Sequence, residues 1–187
     1  IFFNLNKKKY QEKIISYFGR ISHNKGVHTL LKSLNSLEFQ NWKFYIDLYD
    51  IESLNYFKLI KKDLKELFYK EKLKIIKPNH NNIHEFMKIS NLTVVPSEWN
   101  EQYGRVIQEA IACGSIVIGS NIGSIPEIIK KKEFLFEPGN TESLKNKIDD
   151  VCRNYNNYRD NFNEVEIFTN RNRSIDRQAE LLFTILN

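Results

Sequence analysis

The chain has 187 residues, 41% hydrophobic and 13% aromatic, which suits one folded domain with a sizeable core and argues against global disorder. Its net charge of +5 favours anionic partners, yet the lysines are scattered and no arginine-rich tract points to nucleic acid. Two cysteines, Cys113 and Cys152, form no disulfide or C-x-x-C pattern, and no apolar run resembles a membrane span or signal peptide, so a reduced, cytoplasmic setting is expected.

Residues 1–13 combine an apolar scrap with a charged stretch and read as a linker from an absent upstream domain; with Ile1 in first place, a piece of something longer is expected. Ile14 to Phe18 suits a central strand. The loop G-R-I-S-H-N-K-G then carries Arg20 and Lys25 into a helix marked by Val27, Leu30, Leu31 and Leu34. Trp42 to Tyr49 reads as a second strand. Ile51 to Tyr69 reads as a long helix with Leu54, Phe57, Ile60, Leu64, Leu67 and Phe68 inward. A third strand (Leu73 to Ile76), a turn (Pro78 to Asn82), a short helix (Ile83 to Ile89) and a fourth strand (Leu92 to Val95) follow.

The stretch from Pro96 to Gly123 organises the rest. A polar loop with Glu98 and Glu101 leads into a helix expected near Tyr103, whose inner face is Tyr103, Val106, Ile107, Ala110 and Ile111. Gly114 stops it, and Ile116 to Gly119 is a fifth strand. A helix N-terminus attracts phosphate because its unpaired N–H groups and its dipole both face an anion. Glu101 precedes the helix and Glu109 sits in its second turn, so a diphosphate there could have one carboxylate on each side. The competing reading makes Glu109 the i, i+4 surface partner of Arg105, worth only about 0.3–0.5 kcal/mol.

Ser124 with Pro126 and Glu127 signals another helix start, Phe134 to Phe136 a sixth strand, and Thr141 the cap of a helix running to Val151. Residues 154–173 read as short helix and loop, and 174–187 hold a closing helix. Six strands alternating with helices predict a Rossmann-like three-layer α/β sandwich with a six-stranded parallel sheet, over a single domain 1–187. No G-x-G-x-x-G follows the first strand, which counts against a nicotinamide dehydrogenase.

Four stretches, Y-F-G-R-I-S-H-N-K-G-V-H-T-L-L, V-V-P-S-E-W-N-E-Q-Y-G-R-V-I-Q-E-A-I-A-C-G, I-V-I-G-S-N-I-G-S-I-P-E-I-I and F-E-P-G-N, resemble in that order the C-terminal, donor-binding domain of family 4 retaining glycosyltransferases with the GT-B fold. The resemblance covers most of residues 14–150. It implies that Arg20 and Lys25 hold the donor diphosphate, that Glu101 faces the transferred sugar, and that Glu109 holds the ribose hydroxyls. Gly19 and the backbone of Gln102, Tyr103 and Gly104 would border the donor, with the base near Ile76 and Lys77. Ser124 and Lys77 stand where many members have glycine, and K-K-K-E replaces a glycine-containing loop before Phe134; none of these touches the four charged positions.

Glycosyl transfer leaves negative charge on the departing diphosphate, and Arg20, Lys25 and a helix N-terminus can stabilise it without a metal. No Asp-x-Asp occurs to hold a divalent cation. The implied partner is a nucleotide-diphosphate sugar, with no cofactor, no metal and no nucleic acid. The acceptor would be bound by the missing N-terminal domain, without which the domain is expected to be inactive. A role in surface polysaccharide or glycolipid synthesis and peripheral membrane association of the full-length protein are compatible with this. Two other readings stay open: a sugar-nucleotide epimerase on the GT-B architecture, and a non-catalytic module for phosphate or nucleic acid. His23 and His28 need no function beside Lys25. His80 and His84 have metal spacing without a third ligand, Ser97 is expected to hydrogen-bond its loop, and Cys113 to pack against the sheet.

Overall fold

The computed structural model describes residues 12–38, 41–48, 50–78 and 82–172, the last nine of these as backbone only. Six strands, β1 (Lys13–Tyr17), β2 (Trp42–Asp47), β3 (Leu73–Ile76), β4 (Leu92–Val95), β5 (Ile116–Ser120) and β6 (Leu135–Phe136), pair in the order β3-β2-β1-β4-β5-β6, all parallel. The helices are α1 (Val27–Asn35), α2 (Leu54–Tyr69), α3 (Ile83–Ile89), α4 (Arg105–Ala112), α5 (Ile125–Ile129), α6 (Thr141–Arg153) and α7 (Tyr155–Asn172).

Parallel strands need crossovers, and right-handed crossovers place helices on both faces once the strand order reverses. Here α1 packs with α2 and α6, while α4 packs with α3, α5 and α7. The sheet is therefore enclosed, and its strands read accordingly: β4 and β5 are buried at every position. The main core runs from Ile15 and Phe44 through Ile107 and Ile118 to Phe134 and Phe162, and a smaller cluster gathers Phe18, Ile76 and Met87.

Several expected boundaries move, each for a local reason. Helix α2 starts at Leu54 because Ser53 caps it, its side chain accepting the N–H of Tyr56 at 3.1 Å. Ile51 instead bridges to Ile21. The inner face of α2 consequently carries Tyr56, Ile60, Leu64 and Leu67, whereas Leu54 and Phe68 are exposed. Helix α4 starts at Arg105 behind Gly104, whose φ of 54° ends the preceding loop, so Tyr103 lies outside the helix and is exposed. Asn140, not Thr141, caps α6 by accepting from the N–H of Ser143. Ser124 precedes α5 without a side-chain capping bond. A single helix, α7, replaces the short helix and loop expected after residue 154. Lys13 already belongs to β1, so the expected linker cannot extend to it; residues 1–11 and the closing helix over 174–187 lie outside the described residues.

Helices α6 and α7 are tied by the Tyr158 hydroxyl, which donates to Asp150 and holds that carboxyl below its usual range. Tyr158→Phe should cost about 1–2 kcal/mol near pH 7. Since the folded-state pKa lies below the unfolded one, that contribution is present above about pH 4 and is lost as pH falls through the folded value. Urea unfolding of both proteins at pH 7 and pH 3 checks this; an equal difference at both would contradict it.

Candidate functional site

Strand order reverses between β1 and β4, which are hydrogen-bonded neighbours whose following helices leave toward opposite faces. The loops from their C-terminal ends splay apart there and leave a crevice, the usual ligand position in open parallel sheets. A cleft of about 590 Å³ occupies it. Its walls come from the β1–α1 segment (Tyr17 to Arg20, Asn24, Lys25) and the β4–α4 segment (Val95 to Ser97, Trp99 to Tyr103, Arg105, Val106).

Backbone apposition holds these loops together. Gly26, with φ of 65°, lies so close to β4 that a Cβ would fall 1.9 Å from the carbonyl oxygen of Pro96. Only glycine accommodates both the left-handed backbone and that approach. Two residues along each loop from that contact, the N–H of Glu98 donates to the Asn24 carbonyl at 2.8 Å. The Tyr17 hydroxyl donates to the Arg20 carbonyl at 2.6 Å, and burial pushes that phenol well above its ordinary pKa, so it stays a donor.

Across the cleft, Lys25 Nζ lies 2.5 Å from Glu101 Oε2, to which Ser97 Oγ donates at 3.3 Å. Ser97 thus hydrogen-bonds its loop, as expected. The β5–α5 turn fixes Glu101 from behind: the Ser124 N–H donates to the Glu101 carbonyl at 2.8 Å, and a Cβ on Gly123 would fall 2.6 Å from the Glu101 backbone. Arg20 reaches Asp50 at 3.4 Å, with both side chains largely exposed.

Of the residues singled out from sequence, Gly19, Arg20, Lys25, Glu101, Gln102 and Tyr103 line this cleft. Gly104 is buried beneath it, where a Cβ would strike Ile128. Ile76 sits one layer behind: it clusters with Phe18 and Val106, both cleft-lining, and Lys77 follows it at the same sheet edge. Glu109 is half-buried one turn beyond Val106, outside the lining, and among the described residues no ion pair within 4.0 Å joins it to Arg105.

Glu98, noted in sequence only as part of a polar loop, has a larger part than its spacing suggested. Its Oε1 accepts from Thr29 Oγ1 at 2.5 Å and lies 3.4 Å from His28 Nε2. Burial lowers the His28 pKa, with Glu98 opposing that effect and His23 and Lys32 adding to it. His28, which needs no function on sequence grounds, is therefore half-buried in a network with Glu98 and Tyr56. Cys113 packs beside the Phe18 cluster, and burial raises its thiol pKa. His84 is exposed, and His80 lies outside the described residues.

The family of glycosyl transferases group 1 matches residues 2–166. The chain belongs to that family. Among curated relatives of this transferase domain, an uncharacterized glycosyltransferase of Methanocaldococcus jannaschii is 29% identical over 153 residues, 77% of this chain and 37% of the relative. The lipopolysaccharide 1,2-N-acetylglucosaminetransferase of Salmonella typhimurium is 30% identical over 145 residues, 72% of this chain and 38% of that protein. The chain thus spans under two-fifths of these relatives' length. Among solved structures, Anabaena HepE in complex with UDP superposes with a TM-score of 0.81 at 22% identity, covering 93% of this chain and 49% of that one. The C-terminal domain of a Francisella tularensis group 1 glycosyl transferase superposes with a TM-score of 0.74 at 21% identity, covering 86% and 85%. The transferase domain therefore has the fold of the C-terminal half of GT-B glycosyltransferases.

Gly26→Ala should destabilise the domain by about 2–4 kcal/mol, combining left-handed strain with a backbone clash that no side chain can relieve. Urea unfolding measures this; a change under about 1 kcal/mol would mean the loops are not held as described.

Proposed function

We propose that this domain binds a nucleoside-diphosphate sugar and, with an acceptor-binding domain, transfers the sugar with retention and without a metal. The observation that carries the proposal is the Lys25–Glu101 contact across the cleft, beside the N-terminus of α4. A cation for the diphosphate and a carboxylate for sugar hydroxyls are thereby adjacent, as the two halves of such a donor are. Solved HepE complexes contain UDP and UDP-glucose, which makes UDP the nucleotide to try first. The Salmonella relative's name supports a role in surface polysaccharide synthesis.

In the reaction the bond from anomeric carbon to phosphate oxygen breaks, and its electron pair leaves with the diphosphate. Lys25, Arg20 and the first N–H groups of α4 stabilise that growing charge. The acceptor hydroxyl attacks from the leaving-group side, and its proton passes to the departing phosphate oxygen. Glu101 orients the sugar by accepting from its hydroxyls. Glu109 accepts from the ribose. Glu109 lies behind the cleft-lining Val106, and the adjoining Phe18–Ile76 wall suits a base.

Two outcomes follow. The chain alone should bind UDP without added metal and transfer no sugar, since catalysis needs donor and acceptor held together; robust transfer by this chain would mean the active site is misplaced. By calorimetry, Glu109→Ala should weaken UDP and UDP-sugar alike, by roughly 1.5–3 kcal/mol. Glu101→Ala should leave UDP nearly untouched and erase any extra affinity contributed by the sugar. Unchanged UDP affinity in a folded Glu109→Ala protein would remove the ribose contact.

A further inference from the structure

Outside the cleft, three potential ligands that the donor site does not use converge where the β1–α1 and β4–α4 segments meet. One atom each from His23, His28 and Glu98 lies within 4.8 Å of the other two, and none of these residues lines the cleft. His28 Nε2 and Glu98 Oε1 are 3.4 Å apart. Two ligands about 2.1 Å from one tetrahedral zinc ion stand about 3.4 Å from each other, so this pair already has the spacing of neighbours on a metal. The His23 ring centroid is 4.5 Å from that of His28, and His23 is exposed, so it can turn toward a shared ion through solvent.

Supporting bonds orient the set. The Tyr56 hydroxyl lies 3.1 Å from His28 Nδ1, holding the ring by the nitrogen that faces away from Glu98. Metal-binding histidines are usually held in this way. Thr29 occupies one lone pair of Glu98 Oε1 and leaves another, while the His23 backbone N–H is anchored on Glu52 Oε2 at 3.0 Å. A plain hydrogen bond from His28 to Glu98 would be long at 3.4 Å, and it leaves the position of His23 without a role.

We propose that His23, His28 and Glu98 form a three-ligand site for a zinc-class divalent cation, its fourth position open to water. Two imidazoles and a carboxylate match zinc in ligand type and number. The ion would clip the two loops together beside the cleft, next to its lining residues Asn24, Ser97 and Trp99. It would take no part in transfer, and its binding does not depend on the donor reading.

Zinc chloride titrated by calorimetry into the chelator-treated chain tests this without nucleotide. One equivalent should bind with micromolar or tighter affinity and raise the melting temperature. His23→Ala, whose side chain is solvent-exposed and leaves the fold intact, and His28→Gln should each weaken binding about tenfold or more. His84→Ala, at an exposed site elsewhere, should not. The proposal is overturned by absence of saturable binding, by binding that survives His23→Ala at full strength, or by equal loss in His84→Ala.

Discussion

The structure depends on how closely two loops are pressed together at the carboxyl edge of the sheet. Gly26 lets the chain turn into α1 directly against the Pro96 carbonyl, and the Glu98 N–H bond to Asn24 repeats that contact two residues along each loop. These loops leave neighbouring strands, so their spacing is set by the sheet, and the parallel register of β1 on β4 is transmitted to the cleft. Side chains on either loop, Lys25 and Glu101 above all, therefore meet at a distance fixed by backbone and not by their own flexibility.

Electrostatics follows from that placement. Lys25 and Glu101 form an ion pair with side chains 37% and 20% exposed, partly shielded from water but not sealed from it. Such a pair contributes little net stability, because desolvation offsets much of the attraction. In the proposed function a diphosphate takes over Lys25 while a sugar's hydroxyls satisfy Glu101, so ligand groups replace each lost contact. Glu101 itself does not have to move, since the β5–α5 turn holds its backbone through Ser124 and Gly123.

Much of this was legible in the chain. Alternating apolar runs and helical periodicities predicted the six strands and their parallel pairing, and two separate motifs, the G-R-I-S-H-N-K-G loop with Arg20 and Lys25 and the stretch from Pro96 to Gly123 with Glu101, supplied the residues that line one cleft. What escaped were features set by single capping bonds or by distant pairs. Ser53 starts α2 after Ile51 has left for Ile21, which no periodicity reveals. Tyr103 fits the apolar repeat of α4, but Gly104 breaks the helix behind it and turns the ring to solvent. The Glu98 contacts with His28 and Thr29 join residues about seventy apart, and a loop glutamate carries no local sign of them.

The central claim, that both loops together receive the donor, is tested most directly by amide hydrogen exchange of the chain with and without UDP. Protection should rise in residues 19–26 and 97–106 together, and remain unchanged at the opposite, amino-terminal edge of the sheet. Binding that protects only one of these segments, or that protects neither, would contradict the account.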